Sequence, residues 1–270
     1  MSFLETMIEK RVARVRADFG TLSLEEMQSL AACGRESLLY ADLYSLLRER
    51  EDVAVIAEVK KSSPSEGVLS AECDPAARAQ QYQRGGAAAI SVLTEPEIFN
   101  GSFADLTDVV EAVRLPVLCK DFVVDPVQLY MARASGADAV LLMVSVLGER
   151  LPEYMDLALQ LRIGYVVEVA DLDELDIASA LGARAIGVNA RDFTTLALDR
   201  ERQLAVVKEA STCCEALVIA ASGIRNRADV EAAASAGADV VLVGETLMRS
   251  PDPAETLKAL TGVRKGVRHE

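Results

Sequence analysis

From residue 53 onward the chain repeats one unit: a short apolar run rich in β-branched residues or alanine, a polar residue at its end, and a longer segment with helical spacing. Eight such runs can be read: VAVIAEV from Val53, AAAISVLT from Ala87, PVLCKDF from Pro116, AVLLMVS from Ala139, GYVVEVA from Gly164, RAIGVNA from Arg184, ALVIAAS from Ala216 and VVLVGET from Val240. Near-continuous hydrophobicity suits parallel strands covered by helices, and the intervening segments are long enough for right-handed crossovers. PAARAQQYQRGG, PVQLYMARASG and ADVEAAASAG read as those helices, each ending in a glycine where a left-handed residue closes a helix. The fold class that follows is α/β, eight strand–helix units closing into a (β/α)8 TIM barrel whose chemistry lies at the C-terminal ends of its strands. A doubly wound open sheet is the rival, but no G-x-G-x-x-G turn follows the first strand.

Residues 1–50 precede the first run and carry helical signals of their own. FLETMIEKRVARVRADF has apolar helical spacing, and SLEEMQSLAA opens on a Ser23/Glu26 capping box. They are read as an N-terminal helical extension covering the barrel, and residues 1–270 as a single barrel domain without a linker. A length of 270 residues permits this.

Composition narrows the chemistry. With 28 basic against 42 acidic side chains the net charge is −14, the wrong sign for nucleic acid or an anionic membrane surface. Any anionic ligand must therefore be held by a local site. No apolar stretch reaches the ~18 residues of a membrane span. The single histidine, His269, sits in a charged tail, which argues against a histidine-dependent triad and against multi-histidine zinc sites. The five cysteines show no C-x-x-C spacing, which suits a reducing cytoplasm. Acid–base chemistry is left to Lys, Asp, Glu, Cys or Tyr.

The strand ends supply candidates. Glu58 and Lys60 close the first run at i, i+2 and so face the same side, continuing the face of Ala54 and Ile56. The third run ends in Lys120-Asp121, the fifth in Glu168, and the sixth in Asn189 followed by Arg191. Two carboxylates, two ammonium groups and an amide would converge on one mouth, tuning each other's proton affinities; a structural ion-pair network is the blander account. The seventh and eighth runs end instead in Ser222-Gly223-Ile224 and Gly244-Glu245-Thr246, short and rich in backbone NH, where many barrels hold a phosphate. Ser63-Pro64-Ser65-Glu66-Gly67 could add donors from above.

At these residues the chain resembles the indole-3-glycerol phosphate synthase family. The stretches AEVKKSSPSEG (57–67), SVLTEPEIFNGS (91–102), PVLCKDFVVDPVQ (116–128), GADAVLLM (136–143), VVEVADLDEL (166–175), IGVNARDFTTL (186–196) and SGIRNRADV (222–230) carry the resemblance. It implies a barrel with an N-terminal helical segment that converts 1-(2-carboxyphenylamino)-1-deoxyribulose 5-phosphate into indole-3-glycerol phosphate, carbon dioxide and water without metal or organic cofactor. It further implies Lys120 as general acid at the substrate carbonyl, Glu168 as the acid–base glutamate, and Glu58 with Lys60 as the pair that positions substrate and moves protons during dehydration. Asn189 would hold substrate hydroxyl or carboxylate groups and Arg191 would keep its loop in place. Phe99, Phe122 and Leu141 would form the pocket for the anthranilate ring, while Ser63, Ser222, Gly223, Gly244 and Glu245 would hold the phosphate. The implied partner is a phosphorylated small molecule, and association with other enzymes of the tryptophan pathway is compatible with it.

One position departs from the family pattern, which usually has a glutamate before Ser-Gly-Ile; here Ala221 stands there. Alternative readings follow from it: a divergent paralogue with an altered aryl-amino sugar phosphate substrate, or a non-catalytic phosphate-ligand binder. The related phosphoribosylanthranilate isomerase barrel uses a cysteine at the first strand and an aspartate at the sixth, where this chain has Glu58-Val59-Lys60 and Asn189.

Overall fold

The computed structural model describes residues 2–34, 43–65, 67–69, 73–193 and 195–266; Glu66, His269 and the stretch 35–42 of the N-terminal extension lie outside the described residues. All eight runs form strands: Ala54–Val59, Ala89–Leu93, Val117–Lys120, Ala139–Met143, Gly164–Val169, Ala185–Asn189, Leu217–Ala221 and Val240–Val243. Each pairs in parallel with its sequence neighbour, and the first also pairs with the last, Ala54 opposite Val240 through Ala57 opposite Val243, which closes the barrel. Their inner and outer faces split into two apolar clusters. Ala54, Ile56, Leu118, Leu141, Val166, Ile219 and Leu242 fill the interior, whereas Val55, Ala57, Cys119, Val140, Val167 and Val241 pack beneath the helices. Period-two alternation thus decides which side chain at each strand end looks into the mouth.

The helices start and stop as their sequences dictate. Asp74, Ser102, Asp171, Asp199 and Asn226 each cap a helix by accepting a main-chain NH three residues on. Past the three helices that end in glycine, the left-handed residues are Gly86, Gly136 and Gly237, with φ of 92°, 82° and 99°.

The N-terminal extension meets the barrel at both ends. Helix Phe3–Phe19 begins on a Ser2/Glu5 capping box and buries Met7, Arg11 and Val15. Its Arg11 donates twice to Asp121, at 2.8 and 2.6 Å, just beyond the third strand. Helix Leu43–Arg48 lies at the opposite end, where the Tyr44 hydroxyl donates to the Tyr165 carbonyl at 2.8 Å near the start of the fifth strand.

Candidate active site

Glu58 is the inward residue near the end of the first strand, buried to 2 % exposure between two lysines. Its Oε1 lies 3.0 Å from Lys60 Nζ and its Oε2 3.1 Å from Lys120 Nζ. Both lysines thus form ion pairs with one buried carboxylate. Burial opposes the Glu58 charge, but the neighbouring ammonium groups of Lys120 and Lys60 outweigh it and hold the carboxyl at about 2. Lys120 faces the same contest. Burial pulls its proton affinity down, yet Glu58 and Glu168 raise it above the ordinary lysine value, so the side chain stays protonated at neutral pH. Glu168 moves the other way: desolvation raises its carboxyl pKa, against the Lys120 charge and a 3.0 Å hydrogen bond from the Asn189 amide. Two buried carboxylates on one mouth are therefore driven apart, one firmly ionised and one readier to carry a proton.

The 14 residues to which the resemblance gives a site role all line one of two adjoining cavities. The larger is an open cleft of about 890 Å³ containing Glu58, Lys60, Ser63, Asn189, Arg191, Ser222, Gly223, Gly244 and Glu245. The smaller, of about 270 Å³, is bounded by Phe122, Leu141 and Glu168 with Leu93 and Met143. Phe99 and Lys120 border both. An ammonium group thus stands where an apolar slot opens into a polar cleft.

At the far end of the cleft, Ser222 and Gly223 take consecutive left-handed conformations, φ 72° and 74°. For serine this costs about 1–3 kcal/mol, the kind of local strain that clusters at ligand sites. Arg200 holds the turn from behind by donating to the Gly223 carbonyl at 2.5 Å. At Gly244 the constraint is a close approach rather than a left-handed turn. Its φ is −118°, and glycine is needed because a Cβ there would lie 2.4 Å from Glu58 Oε1. The Glu245 carboxylate reaches Arg249 at 3.5 Å. Arg191 donates to the Leu196 carbonyl at 2.9 Å while its NH donates to Asn189 Oδ1.

Sequence reasoning missed several contributors. Phe193 lines both cavities and meets the Phe122 ring edge-on at 5.7 Å. Gln203, wholly buried, donates to the carbonyls of Val188 and Ala221 and so ties together the strands that carry Asn189 and Ser222. Asp121, already visible beside Lys120 at the end of the third run, turns to a partner that was not: it pairs with Arg11 and accepts from the Thr94 hydroxyl at 2.9 Å. For Phe193 and Gln203, only the capping and apolar patterns of their segments were visible in sequence. Ala221 is buried on the interior face beside Leu242.

The family model described as Indole-3-glycerol phosphate synthase matches residues 4–260. The chain is 42 % identical over 265 residues to an indole-3-glycerol phosphate synthase of Carboxydothermus hydrogenoformans, covering 96 % of this chain and 99 % of the other. It is 45 % identical over 252 residues to the protein of that name from Leifsonia xyli subsp. xyli, covering 93 % and 94 %. Among solved structures, 3-hexulose-6-phosphate synthase superposes with a TM-score of 0.62 at 18 % identity, covering 77 % of this chain and 98 % of that one. A tryptophan synthase from M. tuberculosis superposes at 0.60 and 13 %, covering 82 % and 96 %, and both likenesses speak to the barrel alone.

Proposed function

The chain belongs to the indole-3-glycerol phosphate synthase family, and from that premise we propose how its residues divide the work. The activity is that of a carboxy-lyase of tryptophan biosynthesis, closing a ring in 1-(2-carboxyphenylamino)-1-deoxyribulose 5-phosphate with loss of carbon dioxide and water. The aryl ring occupies the slot of Phe99, Phe122 and Leu141, and the phosphate rests on the NH groups of Ser222, Gly223, Gly244 and Glu245 with Ser63 above. As an aromatic carbon attacks the ketone, Lys120 gives its proton to the carbonyl oxygen. Departure of carbon dioxide then restores aromaticity, and the apolar slot favours it by disfavouring the carboxylate charge.

Dehydration completes the pyrrole ring. Glu168, whose carboxyl is raised by burial, takes a proton from the carbon beside the ring nitrogen as Lys60 gives one to the leaving hydroxyl, so that water departs, while Glu58 holds Lys60 and Lys120 charged and placed. Asn189 orients Glu168 and a substrate hydroxyl, and Arg191 keeps the sixth loop in shape. The phosphate serves as a handle whose binding energy fixes a flexible sugar chain in reactive form.

The observation that carries this division is the place of Lys120, protonated and bordering both cavities. A single domain spanning 1–270 is supported by the Arg11–Asp121 pair, which ties the extension to the strand end of Lys120. A cytoplasmic setting agrees with thiols at Cys33, Cys73, Cys119 and Cys213. No helix among the described residues is long and apolar enough to cross a membrane. The test is to supply the purified protein with the carboxyphenylamino-deoxyribulose phosphate in metal-free buffer and follow indole fluorescence. Turnover is expected; tight binding without turnover would instead favour the non-catalytic binder suggested by Ala221.

A further inference from the structure

Glu95 stands two residues beyond the second strand and is 0 % exposed. Both of its carboxylate oxygens are turned back onto the loop that carries Phe99. Oε1 accepts from the Glu97 NH at 2.8 Å, and Oε2 accepts from the NH groups of Ile98 at 2.8 Å and Phe99 at 3.0 Å. The loop closes on itself where the Gly101 NH donates to the Glu95 carbonyl at 2.9 Å. A Cβ on Gly101 would lie 2.1 Å from the Leu93 carbonyl oxygen, so the closure depends on glycine. The other side is fastened to the exit of the first strand: the Ser62 hydroxyl donates to the Ile98 carbonyl, and the Ser62 NH to the Phe99 carbonyl at 3.3 Å.

A carboxylate that accepts three main-chain NH groups makes charge-assisted bonds, stronger than neutral ones, and removes donors that a buried turn would otherwise leave unpaired. An amide cannot replace it, since one of its two ends would direct NH2 at NH. What the bonds hold in place is the Phe99 ring, which borders both cavities and lies 6.2 Å from the Phe122 ring.

We propose that Glu95 is a positioning residue for the aryl group of the substrate: its carboxylate fixes loop 95–101 so that Phe99 forms the wall against which the aryl ring is set beside Lys120. The proposal rests on the assignment of Phe99 to the aryl slot. Glu95 also lines the smaller cavity, but both of its carboxylate oxygens are taken up by the loop NH groups, so it acts through Phe99.

A double-mutant cycle tests it, with kcat/KM measured per folded molecule for the parent, Glu95→Gln, Phe99→Ala and the double variant. Misplacement of a reacting group by about 1 Å can cost about a hundredfold, and Glu95→Gln is expected to lower kcat/KM about tenfold without moving the pH profile. If Glu95 works through Phe99, the double variant is no worse than Phe99→Ala. Losses that multiply, or a Glu95→Gln enzyme within about threefold of the parent, overturn the proposal, because threefold is under ~1 kcal/mol of barrier. Should Glu95→Gln not fold, Glu95→Asp, which draws the carboxylate back by one methylene, completes the same cycle. A parent enzyme that forms no indole product overturns the functional reading itself and this proposal with it. Multiplying losses in an active parent sink the role of Glu95 alone.

Discussion

Gly244 and Glu58 are packed so closely that a Cβ on the glycine would lie 2.4 Å from Glu58 Oε1, the oxygen that faces Lys60. The end of the cleft proposed for the phosphate and the cluster proposed for proton transfer are therefore in contact. Gly244→Ala is expected to lower kcat as well as raise KM, because the added methyl drives Glu58 away from its lysine. At Gly223 the atoms nearest an added Cβ belong to the Arg200 side chain, at 3.4 Å or beyond, and the cost there is the φ of +74°. Gly223→Ala should act mainly on KM. Steady-state kinetics of both variants decide the matter, and a Gly244→Ala enzyme with unchanged kcat would separate Gly244 from the lysine cluster.

Lys120→Met keeps the bulk of the side chain and removes the proton donor. Loss of a positioned acid costs about 10²–10⁴ in rate. The variant is expected to fall in that range with its circular dichroism intact. A rate within about threefold of the parent would take the acid role away from Lys120.

Acid stability should carry the signature of Glu58. Its carboxyl is held at about 2 in the fold, below its ordinary value of 4.5, by Lys120 and Lys60 against the opposing effect of burial. A carboxylate depressed in this way stabilises the folded state fully above its unfolded value and loses that contribution as pH falls toward 2. Glu168, raised by burial, has the opposite sign and favours the fold as it gains a proton. Urea denaturation at pH 5 and pH 3 should show parent stability falling with pH, and a shallower fall in Glu58→Gln. Equal falls in the two proteins would mean that Glu58 is not held low.

The barrel and most of its mouth were legible because strand alternation and the position of each strand end are local properties of the sequence. Glu58 and Lys60 at i, i+2, or Asn189 at the close of RAIGVNA, need only the right period to be placed. Arg11 shows why the rest was hidden. It looks like one more charge on an amphipathic helix, yet it is buried against Asp121 across 110 positions of chain, a pairing that only the assembled fold creates. Glu95 was hidden for a different reason: its partners are neighbours, but loop conformation rather than period brings their NH groups together.

The buried pair predicts its own test. Arg11→Met strands Asp121, whose carboxyl is already pushed up by burial and restrained by Arg11, and should cost about 3–5 kcal/mol of stability. Arg11→Met with Asp121→Leu should recover most of that loss in urea denaturation. A single variant that loses under about 1 kcal/mol would show that solvent reaches the pair.

Ala221 gives the remaining prediction. It sits on the interior face at the end of the seventh strand, between Asn189 and Leu242 in register, where the family pattern leads one to expect glutamate. Ala221→Glu is expected to raise kcat/KM, because a carboxylate at that mouth position would favour the protonated lysines and offer an acceptor to a substrate hydroxyl. The opposing effect is steric. Ala221 is 3 % exposed, and forcing a larger side chain into a closed wall costs about 1–3 kcal/mol. Stability and kinetics must therefore be measured on the same preparation. A variant that folds normally, binds the same substrate and turns over more slowly than the parent would show that the alanine suits a different task from the family's usual one. The Asn189–Glu168 hydrogen bond would then be sufficient organisation for the proton transfers without a third carboxylate.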